Sequence, residues 1–248
     1  MVKHAIILAG GKGERLRPLT DKVPKPMVDI LGRPLVEYQV LLLVDQGVEH
    51  IVFSCGYKSE VIKDYFQDGS KWGIKIDYAI EEEPLGRGGA FKNALKFIPE
   101  DGDLIYGANG DEVIAESLEP MIELHQANSA MATMFTIQLI SPFGIVEIED
   151  GGKVTGFREK PVLPHWINAG IYILNRECIE MFPDVGDHED QVFPNLVSQG
   201  KVYAYKGKYR GTVNTLKEMN ELIKELPKHF PQELLNRFPS TYSSSQMV

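Results

Sequence analysis

The sequence predicts an α/β fold with a mostly parallel central sheet flanked by helices. In the first half of the chain, short apolar runs alternate with helical segments, which is the order of strand–helix–strand units with right-handed crossovers. The first apolar run leads directly into a glycine-rich loop at residues 10–15. The second half is dominated by strand patterns, so we expect one mixed domain whose later part is strand-rich.

The first half divides into four strands and three helices. The strands are short apolar runs, whereas the first helical segment has proline in its first turn and glycine at its end. The predicted strands are residues 5–9, 50–55, 74–80 and 103–107, and the predicted helices are residues 34–47, 58–66 and 89–97.

The second half divides into four strands followed by helices. The predicted strands are residues 131–140, 143–149, 153–159 and 167–174, with a hairpin turn at 150–152, and the predicted helices are residues 192–198 and 215–225. We predict one domain over residues 1–225 and a tail over residues 226–248. In that tail, residues 232–238 are expected to form a turn or two of amphipathic helix, and residues 240–248 to be disordered.

Charge and cysteine content narrow the function classes. The 248-residue chain has a net charge of −9, which disfavours nucleic acid as a partner because that affinity comes mainly from Lys and Arg. Residues 1–30 nevertheless carry six Lys and Arg against three acidic residues, which favours a small anionic ligand. Cys55 and Cys178 lack metal-site spacing, so we expect reduced thiols in a cytoplasmic protein. No apolar run suits a signal peptide or a membrane span, so no membrane contact is expected.

The glycine-rich loop lies in residues 8–20 (LAGGKGERLRPLT). Glycines bring backbone N–H groups close to a ligand, and Lys12 and Arg15 add positive charge, so the loop suits phosphate. The dinucleotide fingerprint needs glycine where Leu16 stands, and the P-loop needs Ser or Thr where Gly13 stands. Taken alone, the segment also fits an ordinary glycine-rich turn.

Two charged residues support the phosphate interpretation. Lys25 lies between two prolines, which stiffen the backbone around it. Asp111 follows the fourth predicted strand, at the edge where open α/β sheets bind ligands, and its carboxylate suits Mg²⁺. A solvated loop lysine and an ordinary Asn-Gly-Asp turn are the alternatives at these two positions.

Several segments in this order resemble the sugar-nucleotide pyrophosphorylases, which are nucleoside triphosphate:sugar-1-phosphate nucleotidyltransferases. They are residues 8–20, 24–27 (PKPM), 81–90 (EEEPLGRGGA), 109–111 (NGD), 157–161 (FREKP) and 168–171 (NAGI). The resemblance covers about residues 3–225. It implies a Rossmann-like fold of the nucleotide-diphospho-sugar transferase type, with a strand-rich sugar-binding part. No hexapeptide period follows residue 225, so the left-handed β-helix of many relatives is not expected.

The resemblance also implies a role for individual positions. The implied catalytic residues are Arg15 and Lys25. The implied nucleotide-binding residues are Leu8, Ala9, Gly10, Gly11, Gly13, Glu81, Pro84, Gly86 and Asn109. The implied sugar-phosphate-binding residues are Gly144, Glu159, Lys160 and Asn168, and the implied Mg²⁺ ligands are Asp111 and Asn214.

Two positions depart from the family pattern. Many relatives carry Asp where this chain has Asn214, whose amide oxygen either ligates Mg²⁺ or caps the helix predicted at residues 215–225. Relatives often carry a small residue at the position of Arg87, which here either contacts the nucleotide or is solvated.

The expected reaction converts an NTP and a sugar 1-phosphate into an NDP-sugar and pyrophosphate, with Mg²⁺ as cofactor. Residues 81–90 resemble the guanylyl-transferring branches, so we expect guanylyl transfer to mannose 1-phosphate or a similar sugar phosphate. Uridylyl, thymidylyl and cytidylyl transfer remain alternatives, and the region of Asn214 resembles the uridylyl branch. Two alternatives belong to other function classes. One is a non-catalytic regulatory subunit, and the other is a nicotinamide oxidoreductase, which is disfavoured because Leu16 stands where the dinucleotide fingerprint needs glycine. The family forms dimers and tetramers, so a homo-oligomer is possible.

Overall fold

The structure is a computed structural model that describes residues 1–100, 102–240 and 242. The first half contains β1 (His4–Ala9), β2 (Asp29–Ile30), β3 (Arg33–Pro34), α1 (Leu35–Asp45), β4 (His50–Cys55), α2 (Ser59–Phe66), β5 (Lys75–Ile80), α3 (Gly86–Leu95) and β6 (Leu104–Asn109). The second half contains β7 (Glu112–Val113), α4 (Glu119–Ala127), β8 (Ala132–Ile140), β9 (Ile145–Ile148), β10 (Val154–Arg158), β11 (Val162–Asn175), α5 (Arg176–Glu180), α6 (His188–Gln191), α7 (Phe193–Ser198), β12 (Val202–Lys206), β13 (Gly211–Thr212), α8 (Leu216–His229) and α9 (Gln232–Arg237).

Seven strands form the central sheet in the order β12-β8-β11-β6-β1-β4-β5. Strands β1, β4, β5 and β6 are parallel, β12 is parallel to β8, and β11 runs antiparallel to both β6 and β8. The predicted mostly parallel sheet is therefore confirmed. Every residue of β4 is buried, as expected for a parallel strand whose two faces are both covered.

The strand order creates a topological switch point at β1. The chain passes from β1 to β4 and β5 on one side, and then through α3 to β6 on the other side. The carboxyl ends of these strands are level, because Ala9 pairs with Cys55, Cys55 with Ile80, and Leu8 with Asn109. Ligands of open α/β sheets bind at such a point, so loops that follow these strands can contribute to one site.

Apolar side chains pack on both faces of the sheet. One cluster includes Leu41 of α1 and Phe66 of α2, and the other includes Phe91 of α3 and Phe193 of α7. Both cysteines are buried free thiols, as expected, and burial raises the pKa of each to about 12. Within the described ranges, no helix combines the length and the apolar character that a membrane span requires.

The elements differ from the sequence prediction in several places. Helix α3 begins at Gly86 rather than at residue 89, because Gly186 accepts hydrogen bonds from the backbone N–H groups of Gly88 and Gly89 and so holds the glycine-rich first turn. Strand β11 begins at Val162 rather than at residue 167. The sequence analysis did not identify the elements α4, α5 and β12.

The C-terminal region contains two helices. Helix α8 extends to His229 and so crosses residue 225, where we divided the chain, while α9 occupies Gln232–Arg237. The division into residues 1–225 and 226–248 stays a prediction. Of the segment 240–248 that we expected to be disordered, only Ser240 and Tyr242 lie within the described residues.

Candidate active site

A cavity of about 1060 Å³ opens at the carboxyl ends of the central strands. The loop after β1, the turn before β2, the segment after β5 and the end of β6 all contribute to its wall. The lining contains all the residues for which the family resemblance implied catalytic, nucleotide-binding or metal-binding roles: Leu8, Ala9, Gly10, Gly11, Gly13, Arg15, Lys25, Glu81, Pro84, Gly86, Asn109, Asp111 and Asn214.

Lys25 is at the centre of the polar contacts in this cavity. Its Nζ donates hydrogen bonds to Asp111 Oδ2 and to Asn214 Oδ1, the second at 2.8 Å. Arg15 Nη2 donates to the same Asn214 oxygen at 3.2 Å. The side chains of Lys25 and Asp111 are only 13% and 22% exposed. A carboxylate oxygen and an amide oxygen therefore converge on one partly buried cation.

The backbone around Asp111 is fixed from the helix side of the sheet. The buried side chain of Gln39, on α1, donates through Nε2 to the carbonyl oxygens of Asn109, at 2.8 Å, and of Glu112. These two acceptors bracket Asp111 in sequence. Strand β7, which follows Asp111, pairs antiparallel with β13, which precedes Asn214. This pairing helps to bring Asp111 and Asn214, which are far apart in sequence, to the ammonium group of Lys25.

The side chain of Asn214 does not cap α8. The N-cap is Thr215, whose Oγ1 accepts from Glu218 N at 3.2 Å, while Glu218 Oε2 accepts from Thr215 N at 3.1 Å and from Asn214 N at 2.6 Å. The helix-cap alternative for Asn214 is therefore wrong. Its Nδ2 donates to Thr212 Oγ1 at 3.3 Å, which orients its Oδ1 toward Lys25 and Arg15.

The glycine-rich loop packs against the base of the Lys25 side chain. Gly13 has a φ of 63°, and a Cβ at this position would lie 2.9 Å from Lys25 Cβ, so a larger residue is excluded on both counts. Thr20 Oγ1 donates to the Gly13 carbonyl at 2.9 Å and closes the loop. Lys12 also lines the cavity and has no ion-pair or hydrogen-bond partner in the described part of the chain. This end of the cavity therefore presents positive charge to an anion.

A further part of the cavity wall is organised by Glu81. Its Oε1 accepts from Ser54 Oγ at 2.9 Å, and its Oε2 accepts from Leu85 N at 3.2 Å. The carboxylate therefore joins the end of β4 to the turn that leads into α3. A Cβ on Gly10 would lie 3.2 Å from Glu81 Oε1, so the first glycine of the loop lies directly beside this carboxylate.

Arg87 is held by two carboxylates, so of the two alternatives for this residue, simple solvation does not hold, while contact with the nucleotide stays a prediction. Its backbone N donates to Asp187 Oδ1 at 2.9 Å, its Nη2 donates to Asp187 Oδ2 at 2.9 Å, and its Nη1 pairs with Glu189. These bonds lower the pKa of Asp187 to about 2 and raise the pKa of Arg87 above its usual value. Asp187, which lines the cavity, was not predicted as a site residue; the acidic residues within 187–190 were the available sequence signal.

The four predicted sugar-phosphate residues lie outside the cavity lining and form two groups. Gly144 and Glu159 are close to each other, since a Cβ on Gly144 would lie 3.1 Å from Glu159 Oε2. Lys160 follows them, exposed and with a φ of 43°. Asn168 is on β11, where its Nδ2 donates to Tyr172 Oη at 2.7 Å. The assignment of all four to a sugar phosphate stays a prediction.

The oxygen atoms of Asp111 and Asn214 form a donor set that suits Mg²⁺. Both are hard oxygen donors, and the ammonium of Lys25 between them shows that the pair accepts a cation. Among the described residues, no group of three or more His, Cys, Asp or Glu side chains could hold a metal. Mg²⁺ often takes only one or two ligands from protein and completes its shell with phosphate oxygens and water, so two ligands are sufficient.

Comparison with known proteins places this chain in a family. The family profile described as Nucleotidyl transferase matches residues 4–225. The chain is similar to the mannose-1-phosphate guanylyltransferase of Mycobacterium tuberculosis, with 35% identity over 81% of this chain and 58% of that protein. It is also similar to the UTP–glucose-1-phosphate uridylyltransferase of Synechocystis sp., with 35% identity over 79% of this chain and 55% of that protein. The chain thus spans less than two thirds of the length of these relatives.

Two solved structures match a larger share of this chain and are themselves covered over their whole length. The crystal structure of HddC from Yersinia pseudotuberculosis has a TM-score of 0.72 at 30% identity and covers 91% of this chain and 100% of that chain. The structure of the same protein complexed with GMP-PN has a TM-score of 0.71 at 29% identity, with the same coverage. The sequence segments, the switch-point cavity and the match over residues 4–225 lead to one conclusion: the chain belongs to the nucleotidyl transferase family.

Proposed function

We propose that the chain transfers a nucleotidyl group from an NTP to a sugar 1-phosphate. An oxygen of the sugar phosphate attacks the α-phosphorus, the bond from that phosphorus to the bridging oxygen breaks, and pyrophosphate leaves with that oxygen. The observation that carries this proposal is the convergence of Lys25, Arg15, Asp111 and Asn214 in the cavity at the strand ends.

The residues of the cavity perform this reaction by positioning the substrates and neutralising charge. A phosphate monoester has a second pKa of about 6, so the attacking group is already ionised and needs no general base. Lys25 binds the α-phosphate, while Arg15 and the backbone N–H groups of residues 10–13 bind the phosphates that leave. The low exposure of Lys25 strengthens its contact with the charge that develops on the α-phosphate.

We assign the cofactor Mg²⁺ to Asp111 and Asn214. When bound, the ion neutralises negative charge on the phosphate oxygens. Asp111 supplies the charged ligand, and Asn214 supplies a neutral oxygen whose direction is set by Thr212. A neutral ligand binds the ion less tightly than a carboxylate, so metal binding here depends strongly on the nucleotide.

For the substrates, we propose guanylyl transfer to mannose 1-phosphate or a similar sugar phosphate. The Mycobacterium tuberculosis relative is a mannose-1-phosphate guanylyltransferase, and HddC, which is 29% identical and matches over its whole length, was solved in complex with GMP-PN. The similarity to the Synechocystis uridylyltransferase keeps uridylyl transfer as the alternative. On the sugar side, we assign Asn168 together with Gly144, Glu159 and Lys160.

We also propose a cytoplasmic homo-oligomer. The hairpin of β9 and β10 carries an exposed apolar face in which Val154 lies opposite Ile148 and Phe157 lies opposite Val146. A two-stranded hairpin is marginally stable in water unless it packs against something else, and a second copy of the chain supplies a matching apolar face. Light scattering should give a multiple of 27.8 kDa, and Ile148→Lys should reduce the mass toward that of one chain.

The experiment that tests the activity is pyrophosphate release from a grid of four NTPs and several sugar 1-phosphates, with Mg²⁺. Release should require both substrates and should be fastest with GTP and mannose 1-phosphate. Release by the chain alone excludes a purely regulatory subunit. If every combination stays at the background rate, the proposed activity is wrong.

A further inference from the structure

A chain of polar contacts connects Arg87, which lines the cavity, to Asn168. Arg87 pairs with Glu189 through Nη1, and Glu189 Oε1 accepts from Tyr172 Oη at 2.8 Å and from Asn168 Nδ2 at 2.9 Å. Asp187 holds the other side of the guanidinium. The chain of contacts therefore runs from α3, beside the cavity, to the strand that carries Asn168.

These contacts engage the amide nitrogen of Asn168. It donates to Tyr172 Oη at 2.7 Å and to Glu189 Oε1 at 2.9 Å. Asn168 Oδ1 accepts one hydrogen bond, from Gly170 N at 2.9 Å, and an amide oxygen can accept two. The oxygen of Asn168 therefore has a lone pair left to accept a hydrogen bond from a ligand.

Glu189 and Tyr172, which link Arg87 to Asn168, are partly shielded from water. Hydrogen bonds and ion pairs at such positions are stronger than those between fully exposed side chains. The side chain of Glu189 is 24% exposed, and Tyr172 is 1% exposed. The Tyr172 hydroxyl would be costly to leave without its partner, because water cannot fully replace the lost hydrogen bond at a buried site. Asn168 itself is exposed, and its contacts with Tyr172 and Glu189 hold its amide in one orientation while Arg87 holds Glu189 in place.

We propose that Glu189 and Arg87 are positioning residues that fix Asn168 as a hydrogen-bond acceptor for a sugar hydroxyl and connect it to the first turn of α3, which lines the cavity. The inference rests on the proposed function, because it concerns the sugar 1-phosphate of that reaction. Neither residue contacts a reacting atom. They act on the binding of the sugar, because the position of Arg87 on α3 determines how Glu189 holds Asn168.

A second ion pair provides a matched control, because it also attaches residues 184–189 to α3 but does not involve Asn168. Lys92, also on α3, pairs with Asp184 at 2.9 Å and so joins the same helix to the same segment. Neither Lys92 nor Asp184 lines the cavity or contacts Asn168. Lys92→Ala therefore removes an anchor without disturbing the amide.

The first experiment compares Glu189→Gln, Arg87→Thr and Lys92→Ala in steady-state kinetics. Glu189→Gln should raise KM for the sugar 1-phosphate about tenfold, since an amide has only one acceptor oxygen and cannot bind Arg87 and Asn168 at the same time. The values of kcat and of KM for the NTP should stay within about twofold. Arg87→Thr should change the same parameter in the same direction. The double variant should be no worse than the more affected single one, because the two residues act through one contact. Lys92→Ala should leave all parameters unchanged.

If Glu189→Gln changes KM for the sugar 1-phosphate and KM for the NTP equally, the residue only anchors the structure and the inference is overturned. The same holds if Lys92→Ala raises KM for the sugar 1-phosphate as much as Glu189→Gln does. If Glu189→Gln does not fold, Tyr172→Phe tests the same link, because it removes only the hydroxyl that joins Asn168 to Glu189. A second readout does not depend on turnover. The side-chain amide resonances of Asn168 in ¹⁵N NMR should shift in Glu189→Gln and not in Lys92→Ala.

The two hypotheses fail in different ways. A wild-type chain without turnover on any substrate pair refutes the proposed function, and the amide resonances then still decide whether Glu189 orients Asn168. A wild-type chain with turnover, combined with unchanged sugar KM and unchanged resonances in Glu189→Gln, refutes the positioning role alone.

Discussion

Replacing Lys25 by alanine removes the cation between Asp111 and Asn214 and, in the proposed reaction, the contact with the α-phosphate. Loss of one preorganised donor to a developing charge in a water-poor site costs about 3–4 kcal/mol, or about 10²- to 10³-fold in kcat. Lys25 is at the strong end of this range, because its side chain is only 13% exposed and its backbone is fixed between two prolines.

The effect on stability should be much smaller. The ion pair with Asp111 is partly buried, but both residues line an open cavity in which water can solvate the carboxylate that is left. Its loss should therefore cost about 1–2 kcal/mol, and the variant should still unfold cooperatively. The assay is pyrophosphate release at saturating substrates, with thermal melting followed by circular dichroism. Lys12→Ala is the control, since it removes a positive charge that lines the same cavity and should act mainly on KM for the NTP. A Lys25→Ala variant with kcat within twofold of the wild type would refute this account of Lys25.

Three further predictions concern the metal, a buried histidine and a helix cap. Asp111→Asn should raise the Mg²⁺ concentration for half-maximal activity about tenfold, because a charged oxygen ligand becomes neutral; an unchanged titration would mean that the ion binds elsewhere. Burial lowers the pKa of His188 to about 4 from an unfolded value near 6.5, with smaller opposing effects of Arg87 and Asp187. The stability from neutral His188 is therefore complete above pH 6.5 and is lost as pH falls toward 4, by about 3 kcal/mol. His188→Phe should make the denaturation midpoint less dependent on pH over this range. An unchanged pH dependence would refute the assignment of this effect to His188. Thr215→Ala should reduce the free energy of unfolding by about 1 kcal/mol, since it removes the N-cap of α8; an unchanged urea midpoint would contradict this.

The sequence predicted the central sheet because its strands are strongly apolar and its order is regular. The buried strand β4 was predicted with the bounds that the structure shows. The antiparallel direction of β11 was not predicted, because apolar periodicity identifies a strand but does not give its direction. Helix α4 was missed although Met121 and His125, one turn apart, are both buried on one face.

The cavity could also be anticipated from sequence, since residues that follow parallel strands meet at one sheet edge. The role of Asn214 needed the structure, although a local signal was present. Thr215 and Glu218 have the spacing of a capping box, which assigns the cap to Thr215 and leaves the Asn214 side chain for the cavity. The pairing of Arg87 with Asp187 and Glu189 depends on contacts across about a hundred residues, and no local pattern indicates it.

The central claim is that the bond from the α-phosphorus to the β-phosphate is exchanged for a bond to a sugar phosphate. The most direct test uses GTP labelled at the α-phosphate or, in parallel, at the γ-phosphate, together with mannose 1-phosphate and Mg²⁺. The account predicts that the α-label appears in a GDP-sugar and the γ-label in pyrophosphate, in equal amounts. Release of the γ-label as inorganic phosphate, or an α-label that remains in GTP or GDP without sugar, would contradict it.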